Sequence, residues 1–164
     1  ELSIMLVELR DISFMDRIAR LIMTNIPYPM LLMGLYKGKV VFYAAHHREN
    51  KADKDRTVLE DVYSTDFISV DSPFIDSIRY DQLKKQNLYT LYDSYIQAVL
   101  NYNLEKRNIK LTKDKEGLLR KVSKIESQIQ ELRNQLKNER HFNRQMDLNI
   151  EIKKLERELK NMEG

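Results

Sequence analysis

The sequence predicts an α+β fold: a small mixed β-sheet in β-α-β-β-β order with packed helices, followed by a C-terminal antiparallel coiled-coil-like helical hairpin. Three observations carry that expectation. Apolar runs at 2–9, 30–36 and 40–47 have the length and branched content of strands, and the last two flank "KGK". Between the first two runs, apolar residues recur at helical spacing instead. From Leu118 onward, Leu, Ile and Val advance by alternating steps of 4 and 3, the seam of packed helices.

"LSIMLVEL" (2–9) reads as a buried strand. Asp11 is placed to cap a helix whose apolar face is Ile12, Met15, Ile18, Ala19 and Ile22, with Asp16, Arg17 and Arg20 opposite. Asn25 closes that helix, and the prolines of "IPYP" hold the chain extended. "MLLMGLY" (30–36) and "VVFYAAHH" (40–47) form a hairpin in which Gly38 supplies a positive φ. "HRENKADKDR" (47–56) is a polar loop, and "TVLEDVYSTDFISV" (57–70) reads as one further strand with room for a bulge. The crossover helix lets the first two strands lie parallel, while hairpins make the rest antiparallel. One helix covers one sheet face, and the later helices or a preceding segment must cover the other.

Ser72-Pro73 opens the helical part, where Leu88, Leu91, Tyr92, Tyr95, Ile96 and Val99 share a face. Tyr80, Tyr89, Tyr92, Tyr95 and Tyr102 lie close in sequence. A ladder for stacking bases is one reading; amphipathic residues that pack this helix on the sheet is the preferred one.

Two seams follow. Leu118, Val122, Ile125, Ile129, Leu132 and Leu136 form the first, and Leu148, Ile152, Leu155, Leu159 and Met162 the second. They do not join. Extending the first lands on Glu139, Asn143, Met146, Ile150 and Lys153, and in one straight helix Leu148 would sit roughly 120° round from Leu136. A reversal near residue 140, inside "NERHFNRQMDLN", satisfies both stripes at once. It pairs Leu132 with Leu148, Ile129 with Ile152, Ile125 with Leu155, Val122 with Leu159 and Leu118 with Met162. One long interrupted helix, with homo-oligomers built on its coiled coil, is the alternative, since no Gly or Pro marks the tip. In the hairpin, Asn138 ends one helix, Asn143 caps the next, and Phe142 plugs the core in preference to standing exposed as an anchor.

The 164 residues, 42% hydrophobic and 32% charged, suit a 1–110 α+β domain and a 111–164 helical arm. The chain opens without an initiator Met inside a strand-like run, as one that begins within a longer, N-terminally truncated protein would. Residues 1–99 hold 12 Lys/Arg against 14 Asp/Glu, and residues 100–164 hold 16 against 11. The basic excess therefore belongs to the arm, mixed with acids as on a solvated face rather than a nucleic-acid footprint. Cys is absent, which excludes disulfides, thiolate zinc sites and a Cys nucleophile, and suits a reducing cytoplasm. No apolar run reaches the roughly 18 residues of a membrane-spanning helix, so no membrane partner is expected.

Catalytic patterns are sparse. His46 and His47 are adjacent, so a strand points them to opposite faces. Glu49, Asp53 and Asp55 could hold a hard cation, but the glycine and closing Glu of an EF-hand loop are missing. "VELR" offers Glu8 as half of a metal-nuclease core without the preceding Asp or the Lys. A phosphate-binding glycine loop and a serine nucleophile elbow are both missing. No cofactor is expected.

"ERHFNRQMDLNIEIKKLERELK" (139–160) and "NIPYPMLLMGLYKGKVVFYAAHHR" (25–48) resemble family 4391 of the bacterial domains of unknown function. The shared features are a Phe-Asn-basic stretch before a charged helix, and an Ile-Pro-hydrophobic-Pro entry into a hairpin. The resemblance implies no activity and no catalytic residues. It does imply an accessory role, through genes placed near restriction–modification methyltransferases and Swi/Snf-type helicases in anti-phage islands. The expected function is a non-catalytic accessory protein whose arm docks on a helicase or methyltransferase through Phe142, Arg140 and Arg144. A nucleic-acid-binding module using Arg140, Arg144, Lys153, Lys154 and Arg157 is the second reading. A metal-dependent nuclease built on Glu8, Asp53 or Asp55 is the third.

Overall fold

The structure, a computed structural model, describes residues 1–26, 28–49, 57–109 and 114–162. It bears out the α+β class. The elements are β1 (Ser3–Glu8), α1 (Met15–Asn25), β2 (Met30–Tyr36), β3 (Lys39–Glu49), β4 (Thr57–Ser64), β5 (Ile68–Ser69), α2 (Pro73–Ser77), a 3₁₀ turn (Tyr80–Gln82), α3 (Leu88–Lys106), α4 (Lys115–Asn138) and α5 (Phe142–Met162). The chain divides into two compact units, Glu1–Tyr102 and Asn103–Gly164.

In the first unit the sheet order is β1-β2-β3-β4, with β1 parallel to β2 and the other neighbours antiparallel. The β2–β3 turn is two residues long, because Tyr36 pairs with Lys39. Lys37 and Gly38 both take positive φ, 46° and 75°, the backbone that matches a twisted hairpin. Residues 57–70 are two strands rather than the one expected. Thr65 separates them: its N–H donates to the Phe42 carbonyl at 3.1 Å, and its Oγ1 accepts from the Phe42 N–H at 3.1 Å. The hydroxyl stands in for a backbone group, so the chain bends and β5 rejoins β3 at Val40.

Helix α1 packs Met15, Ala19 and Met23 on Met30, Leu32, Val41, Tyr43 and Ala45. Ile12, expected on this face, precedes the helix and is exposed. Asp11 does not cap α1 either. Its carboxylate accepts from the N–H and hydroxyl of Ser13 at 2.9 and 2.7 Å, a local turn that competes with capping. The other sheet face meets the later helices. Phe74 of α2 stacks on Phe42 and Tyr102, at ring-centroid distances of 5.3 and 5.4 Å. The Tyr92 hydroxyl donates to the Ala45 carbonyl, with the Met30 carbonyl 3.2 Å from the same oxygen, and accepts from the Ala45 N–H, where the β2–β3 ladder stops. Burial pushes the pKa of that hydroxyl up. Tyr92 and Tyr95 are buried and Tyr102 packs on Phe74, so the base-stacking ladder is not formed. Cover is incomplete over edge strand β1, where Ile4 and Leu6 are each 58% exposed.

Candidate interaction surface on the C-terminal hairpin

The second unit begins with the end of α3. Asn108 takes the left-handed conformation, φ 53°, and the Ile109 N–H reaches back to the Leu104 carbonyl at 2.9 Å, a helix-ending turn that buries both apolar side chains. Arg107 clamps this turn to α4 through two 3.2 Å bonds to the carboxylate of Glu126. Asp114 caps α4 by accepting from the Gly117 N–H at 2.9 Å.

Helices α4 and α5 run back to back as a hairpin, not as one long helix. Ile125, Ile129 and Ile152 form their buried core, with Leu132, Leu136, Leu155, Leu159 and Met162 packed against it. Nearer the base of α4, Leu119 is buried where the seam expected Leu118. The shift stays on the same face, because Leu119 and Val122 are three residues apart and Leu118 and Val122 four. Arg133 and Glu156 close the side of the hairpin with a 2.7 Å ion pair.

The tip explains how a reversal forms without Gly or Pro. Glu139 is extended, φ −77° and ψ 137°, and among the described residues only Lys37, Gly38 and Asn108 have positive φ. An ordinary residue suffices. The Glu139 carboxylate then accepts from the N–H groups of Arg140 and His141 at 2.7 and 2.9 Å, and Gln145 Nε2 donates to the Glu139 carbonyl at 2.8 Å. Those backbone bonds hold the Glu139 carboxyl below its ordinary pKa. The expected cap, Asn143, lies inside α5. Glu139 holds the turn ahead of the helix instead, its carboxylate taking the N–H groups of the two residues that precede α5.

Phe142 is no plug: it is 71% exposed. Met146 (49%) and Ile150 (63%) follow it at helical spacing, so three apolar side chains line the outside of α5. Met146 and Ile150 belong to the failed extension of the first seam. Lys153, Arg157 and Lys160 continue the same sector toward the base, and Lys154 and Asn143 border it. All four cations are exposed, and none is in an ion pair among the described residues. No carboxylate falls within this sector of roughly 120°; Asp147, Glu151 and Glu158 lie beyond one edge, and Glu156, paired with Arg133, beyond the other.

The structure therefore divides the residues singled out from sequence. Phe142, Lys153 and Arg157 share the outer face, and Lys154 stands at its margin. Arg144 points roughly 160° away from Phe142, and Arg140 precedes the helix. Met146, Ile150 and Lys160 went unrecognised, although the misfit residues of the broken seam pointed to the first two. In the first unit, His46 Nε2 lies 3.8 Å from Asp93 of α3 and His47 Nε2 3.4 Å from the Met23 carbonyl of α1, so the pair diverges. Glu8 is exposed at the end of β1, and Asp53, Asp55 and the Glu49 side chain lie outside the described residues. Among the described residues no three His, Asp or Glu cluster as metal ligands, and no helix is long and apolar enough to cross a membrane.

A family model described as a domain of unknown function, DUF4391, matches residues 1–159. No curated protein and no solved structure matches the chain.

Proposed function

The chain belongs to the DUF4391 family, a domain of unknown function, and on that premise we propose that it is a non-catalytic interaction protein that docks a partner through its arm, residues 111–164. The observation that carries this reading is the exposed stripe Phe142–Met146–Ile150. Three large apolar side chains in a row on a helix that has already filled its seam are unusual on a solvated face, and such patches mark contact sites. The charges of the arm and its length, about 30 Å for the 21 residues of α5, suit a helix presented for lateral docking. The resemblance noted in sequence adds the partner class to the proposal: a helicase or methyltransferase of a bacterial defence or restriction–modification-like system, met in the cytoplasm.

Affinity capture with the full chain, from extract of cells that carry its gene, tests the reading. The double variant Met146→Glu with Ile150→Glu is expected to lose the partners that the parent chain retains. Gln130→Glu, on the outside of α4, is expected to keep them. Retention of every partner by the stripe variant would sink the proposal.

A further inference from the structure

The outer face of α5 is ordered along its axis as well as around it. Phe142, Met146 and Ile150 occupy the first 12 Å or so from the tip, and Lys153, Arg157 and Lys160 the next 10 Å or so. We infer that this face receives an acidic amphipathic helix of a partner protein, whose apolar residues cover Phe142, Met146 and Ile150 and whose carboxylates meet Lys153, Arg157 and Lys160. The inference rests on the docking reading above and adds the chemistry of the partner.

Charge complementarity selects this occupant. The apolar stripe is on the order of a few hundred Å², against roughly 800 Å² per partner in a stable interface, so the cationic half must be covered too. A second copy lying parallel would set Lys153, Arg157 and Lys160 against themselves. A second copy lying antiparallel, stacked apolar on apolar, overlaps only the tip and leaves Arg157 and Lys160 outside. Nucleic acid would neutralise the cations and leave Phe142, Met146 and Ile150 unused. A helix that lies in a membrane surface carries its apolar stripe along its length with cations on the flanks, and here the two follow one another end to end. Only a helix with matching axial order covers both halves.

Two fluorescent 21-residue helical peptides, with a leucine stripe in one half and glutamates in the other, serve as probes in the two possible directions. Their counterparts carry lysine for glutamate. At least one glutamate peptide is expected to bind the full chain ten-fold or more tighter than its lysine counterpart, by fluorescence anisotropy at low salt. In the K153E/R157E/K160E chain, shown to be folded by a circular dichroism spectrum like that of the parent, the preference is expected to invert. Absence of the preference, or its survival in the reversed chain, overturns the inference. So does binding of a 20-base-pair DNA duplex or of phosphatidylglycerol vesicles through these three cations when neither glutamate peptide competes. Partner capture that is lost on Met146→Glu with Ile150→Glu, yet unchanged by the charge reversal, leaves the docking reading standing and removes the acidic helix.

Discussion

The two helices of the hairpin bury matching apolar stripes against each other and differ on the outside. Along the outward side of α4 run Ser123, Ser127, Gln130 and Asn134, all exposed, with Arg120, Lys124 and Glu131 beside them and no exposed large apolar side chain. Along the outward side of α5 run Phe142, Met146 and Ile150, then Lys153, Arg157 and Lys160. Packing accounts for the inner stripes of both helices and for the outer face of neither. A polar outer face needs nothing further, since water satisfies it. An apolar outer face is not satisfied in that way, and it is the observation on which the docking proposal rests.

Substitutions on neighbouring positions can break that contrast or sharpen it. The largest expected effect is on Ile152, in the hairpin core: Ile152→Ala should cost about 2–5 kcal/mol in urea denaturation, because it leaves a cavity between α4 and α5. Ile150→Ala, two residues away on the outer face, should move stability by no more than about 0.5 kcal/mol. Equal losses at both positions would mean that the outer stripe also supports the fold, and the contrast would fail.

Arg133→Ala should cost less than about 1 kcal/mol, and the loss should vanish near 1 M salt. Its ion pair with Glu156 is short, 2.7 Å, but the side chains are 57% and 43% exposed. A loss unaffected by salt would show that Arg133 works through its aliphatic stem instead. The smallest effect belongs to the tip. The folded pKa of Glu139 lies below its ordinary 4.5, so its contribution is complete above that value and is lost as the pH falls through the lowered one. The carboxyl ¹³C shift of Glu139 should therefore titrate below 4.5. A midpoint at or above that value would mean that the N–H groups of Arg140 and His141 do not hold this carboxylate.

Much of this hairpin was legible in the residues because heptad spacing reports directly which side chains share a helix face. The mismatch between two seams told that the chain reverses and roughly where. The same spacing could not tell which of Leu118 and Leu119 is buried, as both fit one face. Nor could it reveal what holds the turn, since Glu139 acts only after the chain has brought its carboxylate to the N–H groups of Arg140 and His141. Asn143, the better capping type, sits one residue inside the helix and has no such chance.

In the first unit a similar division holds. Local pattern named the strands, the crossover helix and the positive φ at Gly38, because alternation, spacing and turn chemistry are properties of neighbouring residues. Three features needed the assembled sheet: the break at Thr65, the Tyr92 hydroxyl at the end of the β2–β3 ladder, and the exposure of Ile4 and Leu6. Residue pattern alone determined the α+β class, the order of β1, α1, β2 and β3, and the reversal near residue 140. Only the tertiary structure decided that Phe142 faces outward and that Met146 and Ile150 extend it into a stripe. Periodicity groups residues onto a face, and only the packing of the partner elements determines which faces are left over.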